Sequence, residues 1–137
     1  MVYVFDSSFV IATIIPDEET PEIKSLHSKI KNNDEKHAPQ LIWYEIANVF
    51  MNLIRRKRFS KEEVNHLIPL LSFVNLSTDF ESGANYAKRL WNLCSDYNLS
   101  AYDAAYLELA KRKRAVLCTL DENLINAANK YGVEVII

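Results

Sequence analysis

The chain is 137 residues long, 49% of them hydrophobic, and its 18 acidic and 16 basic side chains leave a formal charge of −2. That is one domain's worth of protein with enough apolar material for a core. Two cysteines, three histidines and two glycines exclude a disulfide framework, a four-cysteine zinc site, an HExxH metalloprotease, a Walker P-loop and a GxGxxG nucleotide fingerprint.

The start, Met-Val-Tyr-Val-Phe-Asp, has neither a basic n-region nor a long apolar h-region, so a cytoplasmic location is expected. No apolar run suits a bilayer: Phe9–Ile15 is short, and Leu41–Ile54 is broken by Glu45, Asn48 and Asn52. No repeat or composition shift marks a linker, and a single domain over residues 1–137 is expected.

Val2–Phe5 is β-branched or aromatic and uncharged, the pattern of a strand buried on both faces. A helix should begin after Asp6 and stop near Pro16. Thr20-Pro21 supplies a hydroxyl cap and a first-turn proline for a second helix, Pro21 to about Lys31. The polar stretch Asn32–Lys36 reads as a loop. After Pro39, the residues Leu41, Ile42, Ile46, Val49, Phe50 and Leu53 keep helical spacing up to the basic run Arg55–Arg58. Ser60-Lys61-Glu62-Glu63 is a capping box, and Ser100-Ala101-Tyr102-Asp103 has the spacing of another, opening a helix to about Lys113. Between them, Phe73–Leu76 is expected as a strand and Phe80 to about Ser95 as a helix. Ala115–Thr119 reads as a buried strand, Glu122–Tyr131 as a helix and Val133–Ile136 as a closing strand. This alternation predicts an α/β domain with a mainly parallel sheet.

The acids then stand out. Asp6 follows the first strand and Asp121 follows the strand ending at Thr119, so both lie at carboxyl ends of strands, the edge where open α/β sheets bind ligands. Asp103 is in the first turn of its helix, and Glu45 edges the apolar stripe of another. Four carboxylates brought to one edge repel one another and call for a hard divalent cation. Each also has a purely structural reading: Asp6 and Asp121 as helix N-caps, Asp103 as the capping partner of Ser100, Glu45 as a side chain reaching into water.

Four segments together carry a resemblance: Val4-Phe5-Asp6-Ser7-Ser8; Glu45 in the helix after Pro39; Tyr102-Asp103-Ala104-Ala105-Tyr106-Leu107-Glu108-Leu109-Ala110; and Cys118-Thr119-Leu120-Asp121-Glu122-Asn123-Leu124. In order and approximate spacing the chain resembles the PIN-domain ribonucleases, and among them the VapC-type toxins of VapBC toxin–antitoxin systems. Asn98 stands where that family often has glycine, a departure that asparagine's tolerance of left-handed backbone makes minor.

The resemblance implies a PIN-like three-layer α/β/α fold and a metal-dependent endoribonuclease with Asp6, Glu45, Asp103 and Asp121 as its acidic cluster. Asp6, Asp103 and Asp121 would hold Mg²⁺, or Mn²⁺ as a substitute, and Ser8 and Thr119 would be supporting hydroxyls. It also implies RNA as substrate, a homodimer, and a cognate antitoxin bound in a toxin–antitoxin hetero-oligomer, with no membrane. Trp43, Ile46, Phe50 and Phe59 exceed what one core stripe requires, so part of that region is expected to meet the antitoxin.

Half of the basic residues lie in Arg55–Arg58 and Lys111–Arg114. They could line an RNA groove, but both runs fall at expected helix C-termini, where cations complement the dipole, and Lys111 lies about 12 Å along its helix from Asp103, beyond reach of a scissile phosphate though near enough to touch a flanking one. The aromatic residues Trp43, Tyr44 and Trp91 follow helical spacing and are expected in the core or an interface. Two other readings remain open at this level. One is a non-catalytic RNA- or protein-binding module on the same fold. The other is a phosphoacceptor receiver domain using Asp6, Asp79 and Thr119, although no acidic pair follows the first strand and no lysine follows the last.

Overall fold

Val2–Phe5 forms β1, with Tyr3, Val4 and Phe5 buried, at the centre of a fully parallel five-stranded sheet. A computed structural model describes residues 1–136, with the backbone alone at position 16. The strands β2 (Glu35–Pro39), β3 (Ser77–Asp79), β4 (Val116–Cys118) and β5 (Val135–Ile136) give the order β3-β2-β1-β4-β5. Parallel neighbours require crossovers, and helices supply them: α1 (Ser7–Ile14), α2 (Pro21–Lys29), α3 (Leu41–Arg55), α4 (Lys61–Leu67), α5 (Leu71–Val74), α6 (Ala84–Tyr97), α7 (Ala101–Lys113) and α8 (Glu122–Tyr131). The result is the PIN-like α/β/α layering expected from the sequence.

The caps explain the boundaries. Thr20 accepts from the Ile23 N–H with Pro21 in the first turn, and Ser60 and Glu63 complete a reciprocal capping box. Asn98 ends α6 in the left-handed conformation at φ 54°, as its side chain permits. In α7 every residue from Ala104 to Ala110 is buried, and the helix packs on β1, β2 and β4. A helix apolar on nearly all sides belongs in the interior, and this one carries Asp103 at its start.

Three expectations are corrected. Asn32–Lys36 is not all loop, because β2 begins at Glu35. Only Ala38 and Pro39 of that strand are buried, so it has no apolar signature and is held by ladders to β1 and β3. Phe73–Leu76 is not a strand: Leu71–Val74 is the helix α5, Phe73 faces solvent, and the strand is the polar Ser77–Asp79 that follows. The helix expected from Phe80 begins at Ala84, after Gly83 at φ 95°.

Candidate active site

From β1 the chain moves outward through β2 and β3, then returns to place β4 on the other side of β1. The carboxyl ends of β1 and β4 therefore flank a topological switch point, where an open α/β sheet leaves a crevice. Asp6 stands there, its N–H donating to the Cys118 carbonyl at 3.1 Å. Its carboxylate is buried and accepts from the Phe9 N–H at 2.9 Å, from Ser8 Oγ at 2.7 Å and from the Thr119 hydroxyl.

Asp121 arrives from the other strand. Its Oδ1 caps α8 by accepting the Leu124 N–H at 2.9 Å, and its own N–H donates to Thr119 Oγ1 at 3.0 Å. The Leu120 N–H donates to Ser8 Oγ at 3.2 Å. Ser8 and Thr119 thus stitch the loop after β4 to the loop after β1. The capping reading and the site reading of Asp6 hold together, since Oδ1 caps α1 while Oδ2 takes the Thr119 hydroxyl.

Asp103 enters on α7. Ser100 Oγ accepts its N–H at 3.2 Å, but the reciprocal carboxylate bond of a full capping box is not formed. Glu45 enters on α3, half-buried, and its Oε1 accepts from the hydroxyl of the buried Tyr106. Tyr106 is a site residue the sequence reading missed. Its signal was present, because it lies three residues beyond Asp103 on the same face of α7.

The acids feel one another. Burial raises the Asp6 carboxyl above its ordinary range, offset in part by Thr119, Ser8 and Phe9, and the Asp121 charge raises it further. Burial and then Asp121 raise Asp103. Glu45 is raised by burial, lowered in part by the Tyr106 hydrogen bond, and raised again by the charges of Asp103 and Asp6. No lysine, arginine or histidine among the described residues forms an ion pair with any of the four.

The donor set is all oxygen, the chemistry of a site for a hard divalent cation. Among the described residues, no three acidic, histidine or cysteine side chains stand together around a point suited to one ion. Imidazoles lie elsewhere. His27 stacks on Phe9 and His37 meets Glu35, while His66 is on α4.

Other expectations resolve differently. Ile46 and Phe50 are 2% and 6% exposed, so they are core and not antitoxin contacts. Phe59 packs on that core, whereas Trp43 is exposed and donates from Nε1 to Thr78 Oγ1 at 3.0 Å. Tyr44 and Trp91 are exposed, so of the core-or-interface expectation the core half is excluded. The receiver reading fails on geometry: Asp79 ends β3, two strands away from Asp6, and is gripped by both Arg112 amino groups at 3.1 and 2.7 Å. Arg112 also binds the buried Glu108, and Lys111 Nζ donates to the Tyr131 carbonyl at 3.1 Å, so half of the second basic run is spent inside the fold.

Residues 3–130 match the model of the PIN domain family. The chain belongs to that family. It is 28% identical over 124 residues to Ribonuclease VapC3 of Pyrobaculum aerophilum, an alignment spanning 90% of this chain and 92% of the relative. Among solved structures, PAE2754 from Pyrobaculum aerophilum is similar with a TM-score of 0.73 at 18% identity, covering 98% of this chain and 89% of that one. VapBC2 from Rickettsia felis, bound to a DNA fragment from their promoter, is similar with a TM-score of 0.64 at 12% identity, covering 98% and 97%. At these identities the two structures speak for the PIN fold alone. No helix among the described residues is long and apolar enough to cross a membrane.

Proposed function

We propose that this PIN domain is a metal-dependent endoribonuclease acting as the toxin of a toxin–antitoxin pair. One observation carries the reading: burial and neighbouring acids raise the proton affinity of Asp6, Glu45 and Asp103, and among the described residues no cationic side chain forms an ion pair with these three or with Asp121. A cluster that costly is explained by a cation it is built to receive. The printed name of the Pyrobaculum relative, a ribonuclease, supports RNA as the substrate.

Asp6, Asp103 and Asp121 would hold Mg²⁺, with Mn²⁺ able to substitute. A hard divalent ion bound there supplies Lewis acidity, neutralising phosphate charge and acidifying water. The chain's own groups do the rest. Ser8 and Thr119 fix the Asp6 carboxylate against rotation, and Thr119 sets the Asp121 backbone relative to it. Glu45, held by Tyr106 and Ser7, would receive a proton from the attacking water, a task its raised proton affinity favours.

The uncompensated acids also suit an inhibitor. An arginine fork pairs with two carboxylate oxygens, so an antitoxin segment bearing arginine would occupy the crevice and silence it. Such a complex, built on a homodimer of this chain, is the assembly the reading implies. The test is cleavage of single-stranded RNA by the purified chain, with EDTA abolishing it and Mg²⁺ or Mn²⁺ restoring it, and with the product of the adjacent open reading frame suppressing it. Full activity in EDTA overturns the metal; an adjacent product that neither binds nor inhibits overturns the toxin role; no cleavage under any condition leaves a binding module.

A further inference from the structure

We propose that Arg55, Arg56 and Lys57, at the turn that ends α3, grip the phosphate backbone of the RNA several nucleotides away from the bond that is cut. The inference rests on the nuclease reading and supplies the positive charge that the acid cluster lacks.

The turn does not need these side chains to close. The Arg56 N–H donates to the Asn52 carbonyl at 2.9 Å, the Lys57 N–H to the Ile54 carbonyl at 3.0 Å and the Arg58 N–H to the Leu53 carbonyl at 3.0 Å. Backbone groups thus take the carbonyls that a helix end leaves open. Arg55, in the last turn, complements the helix dipole, but Arg56 and Lys57 lie past it. Lys57 is moreover left-handed at φ 57°, a position where local stability selects glycine. A lysine there gives up backbone stability for a charge.

That charge has no partner within the fold. Arg58 pairs with Glu18 at 3.1 Å, and Arg89 and Arg112 are held by Glu81, Glu108 and Asp79. Arg55, Arg56 and Lys57 are exposed, and among the described residues none of them forms an ion pair.

The same helix connects the turn to the acids. Glu45 and Asn48 of α3 line, with Ser7 and Tyr102, an open hollow of about 640 Å³. Glu45, Asn48, Asn52 and Arg56 stand at i, i+3, i+7 and i+11, one line along the helix, and both asparagines are exposed. At 1.5 Å per residue Arg56 lies about 16 Å beyond Glu45, too far for the scissile phosphate. At roughly 3.4 Å of rise per nucleotide in a stacked strand, it meets a phosphate about five nucleotides away.

A polyanion needs such a foothold. The chain carries a formal charge of −2 and presents carboxylates where the RNA is cut, so attraction must come from elsewhere on its surface. Three adjacent cations displace counterions from a phosphate backbone and bind it whatever its sequence. An acidic segment of a protein is the competing occupant. RNA is favoured because the line from Glu45 to Arg56 carries asparagines and none of the large apolar anchors on which protein interfaces depend.

The probe is a fluorescein-labelled, unstructured oligoribonucleotide long enough to span the acids and the turn. Binding is read by anisotropy in EDTA over a series of salt concentrations, and cleavage in Mg²⁺. An Arg55→Gln/Arg56→Gln/Lys57→Gln variant should bind about tenfold more weakly, with a salt slope shallower by about 2, since each phosphate contact on a single strand contributes about 0.7. Its KM should rise about tenfold at unchanged kcat, because the grip is remote from the reacting phosphate. Lys29→Gln/Lys88→Gln/Lys130→Gln removes the same charge from α2, α6 and α8 and should leave KM, Kd and the slope close to wild type. Lys57→Gly should keep or raise the Tm while weakening binding about threefold, which a purely structural turn would not do. Patch variants with wild-type Kd and salt slope, a loss in kcat at unchanged KM, or a control as damaging as the patch variant would each overturn the grip. So would patch variants that keep RNA and lose only the product of the adjacent open reading frame. If the wild type binds RNA through the patch yet never cuts, the nuclease reading falls and the grip stands. If it cuts and the patch variants are unaffected, the grip falls and the nuclease reading stands; if it neither binds nor cuts, both fall.

Discussion

The hydroxyl of Thr119 donates to the Asp6 carboxylate and accepts the N–H of Asp121, so one buried side chain ties together the two acids at the switch point. Thr119→Val keeps the shape and removes the tie, leaving a buried carboxylate oxygen and an N–H without partners. The expected cost is about 2 kcal/mol, since one of the lost bonds is to a charged group. Thermal denaturation should show a lower Tm and RNA cleavage should fall, with Thr119→Ser recovering most of both. A valine variant with wild-type Tm and activity would mean the hydroxyl does not set the site.

Arg112 is bound to Asp79 by two bonds and to Glu108 by bonds of 2.7 and 3.1 Å, while Arg89 reaches Glu108 at 3.3 Å. Glu108 is buried on α7, and removing one partner leaves its charge undercompensated. With Arg89 still in place, Arg112→Met should cost about 2 kcal/mol, less than a full buried-pair break. Adding Glu108→Gln to it should return part of that loss. KM for RNA should be unmoved by either, because this arginine is engaged within the fold. A rise in KM at unchanged Tm would instead make Lys111–Arg114 part of the RNA surface.

Three of the candidate acids were legible one by one because they sit at positions with their own local logic: Asp6 and Asp121 follow apolar strands and cap the next helices, and Asp103 follows a Ser100 cap. What the sequence hid was carried by contacts remote along the chain. β2 and β3 are polar short strands defined by their ladders, with no hydrophobic pattern to announce them. Glu45 and Tyr106 lie 61 residues apart, and their pairing depends on how α3 packs against α7. Ile46 and Phe50 are not surplus: with Ile42 and Leu53 they make the one buried stripe of α3, at i, i+4, i+8 and i+11.

Stability should depend on pH in opposite senses at two places. Asp6, Glu45 and Asp103 have proton affinities raised in the folded state, chiefly by burial. Such groups cost nothing when protonated in both states; the penalty develops as pH rises from the ordinary carboxylate range, about pH 4, and is complete above the folded values. In EDTA, a Glu45→Gln/Asp103→Asn variant should therefore match wild type in acid and become increasingly more stable than it as pH rises, then level off. Asp79 is lowered, chiefly by the Arg112 hydrogen bond, so its stabilisation is present above the ordinary value and disappears as pH falls through the folded one. Asp79→Asn should cost most near neutrality and nothing in strong acid. A gap independent of pH in either series would contradict the assignment.

Asp103→Asn removes one carboxylate from the cluster and should abolish cleavage while leaving the fold intact. Without metal, relief of repulsion from Asp121 should leave its Tm equal to or above wild type. Millimolar Mg²⁺ should raise the Tm of wild type and not of the variant, because an ion bound by the folded state alone stabilises it by mass action. The products carry a further test. Among the described residues no histidine stands with the acids, so the proposed chemistry is attack by water, leaving 5′-phosphate and 3′-hydroxyl ends. Attack by the ribose 2′-hydroxyl would leave a cyclic phosphate, and finding that product by mass spectrometry would displace the hydrolytic mechanism whatever the metal requirement.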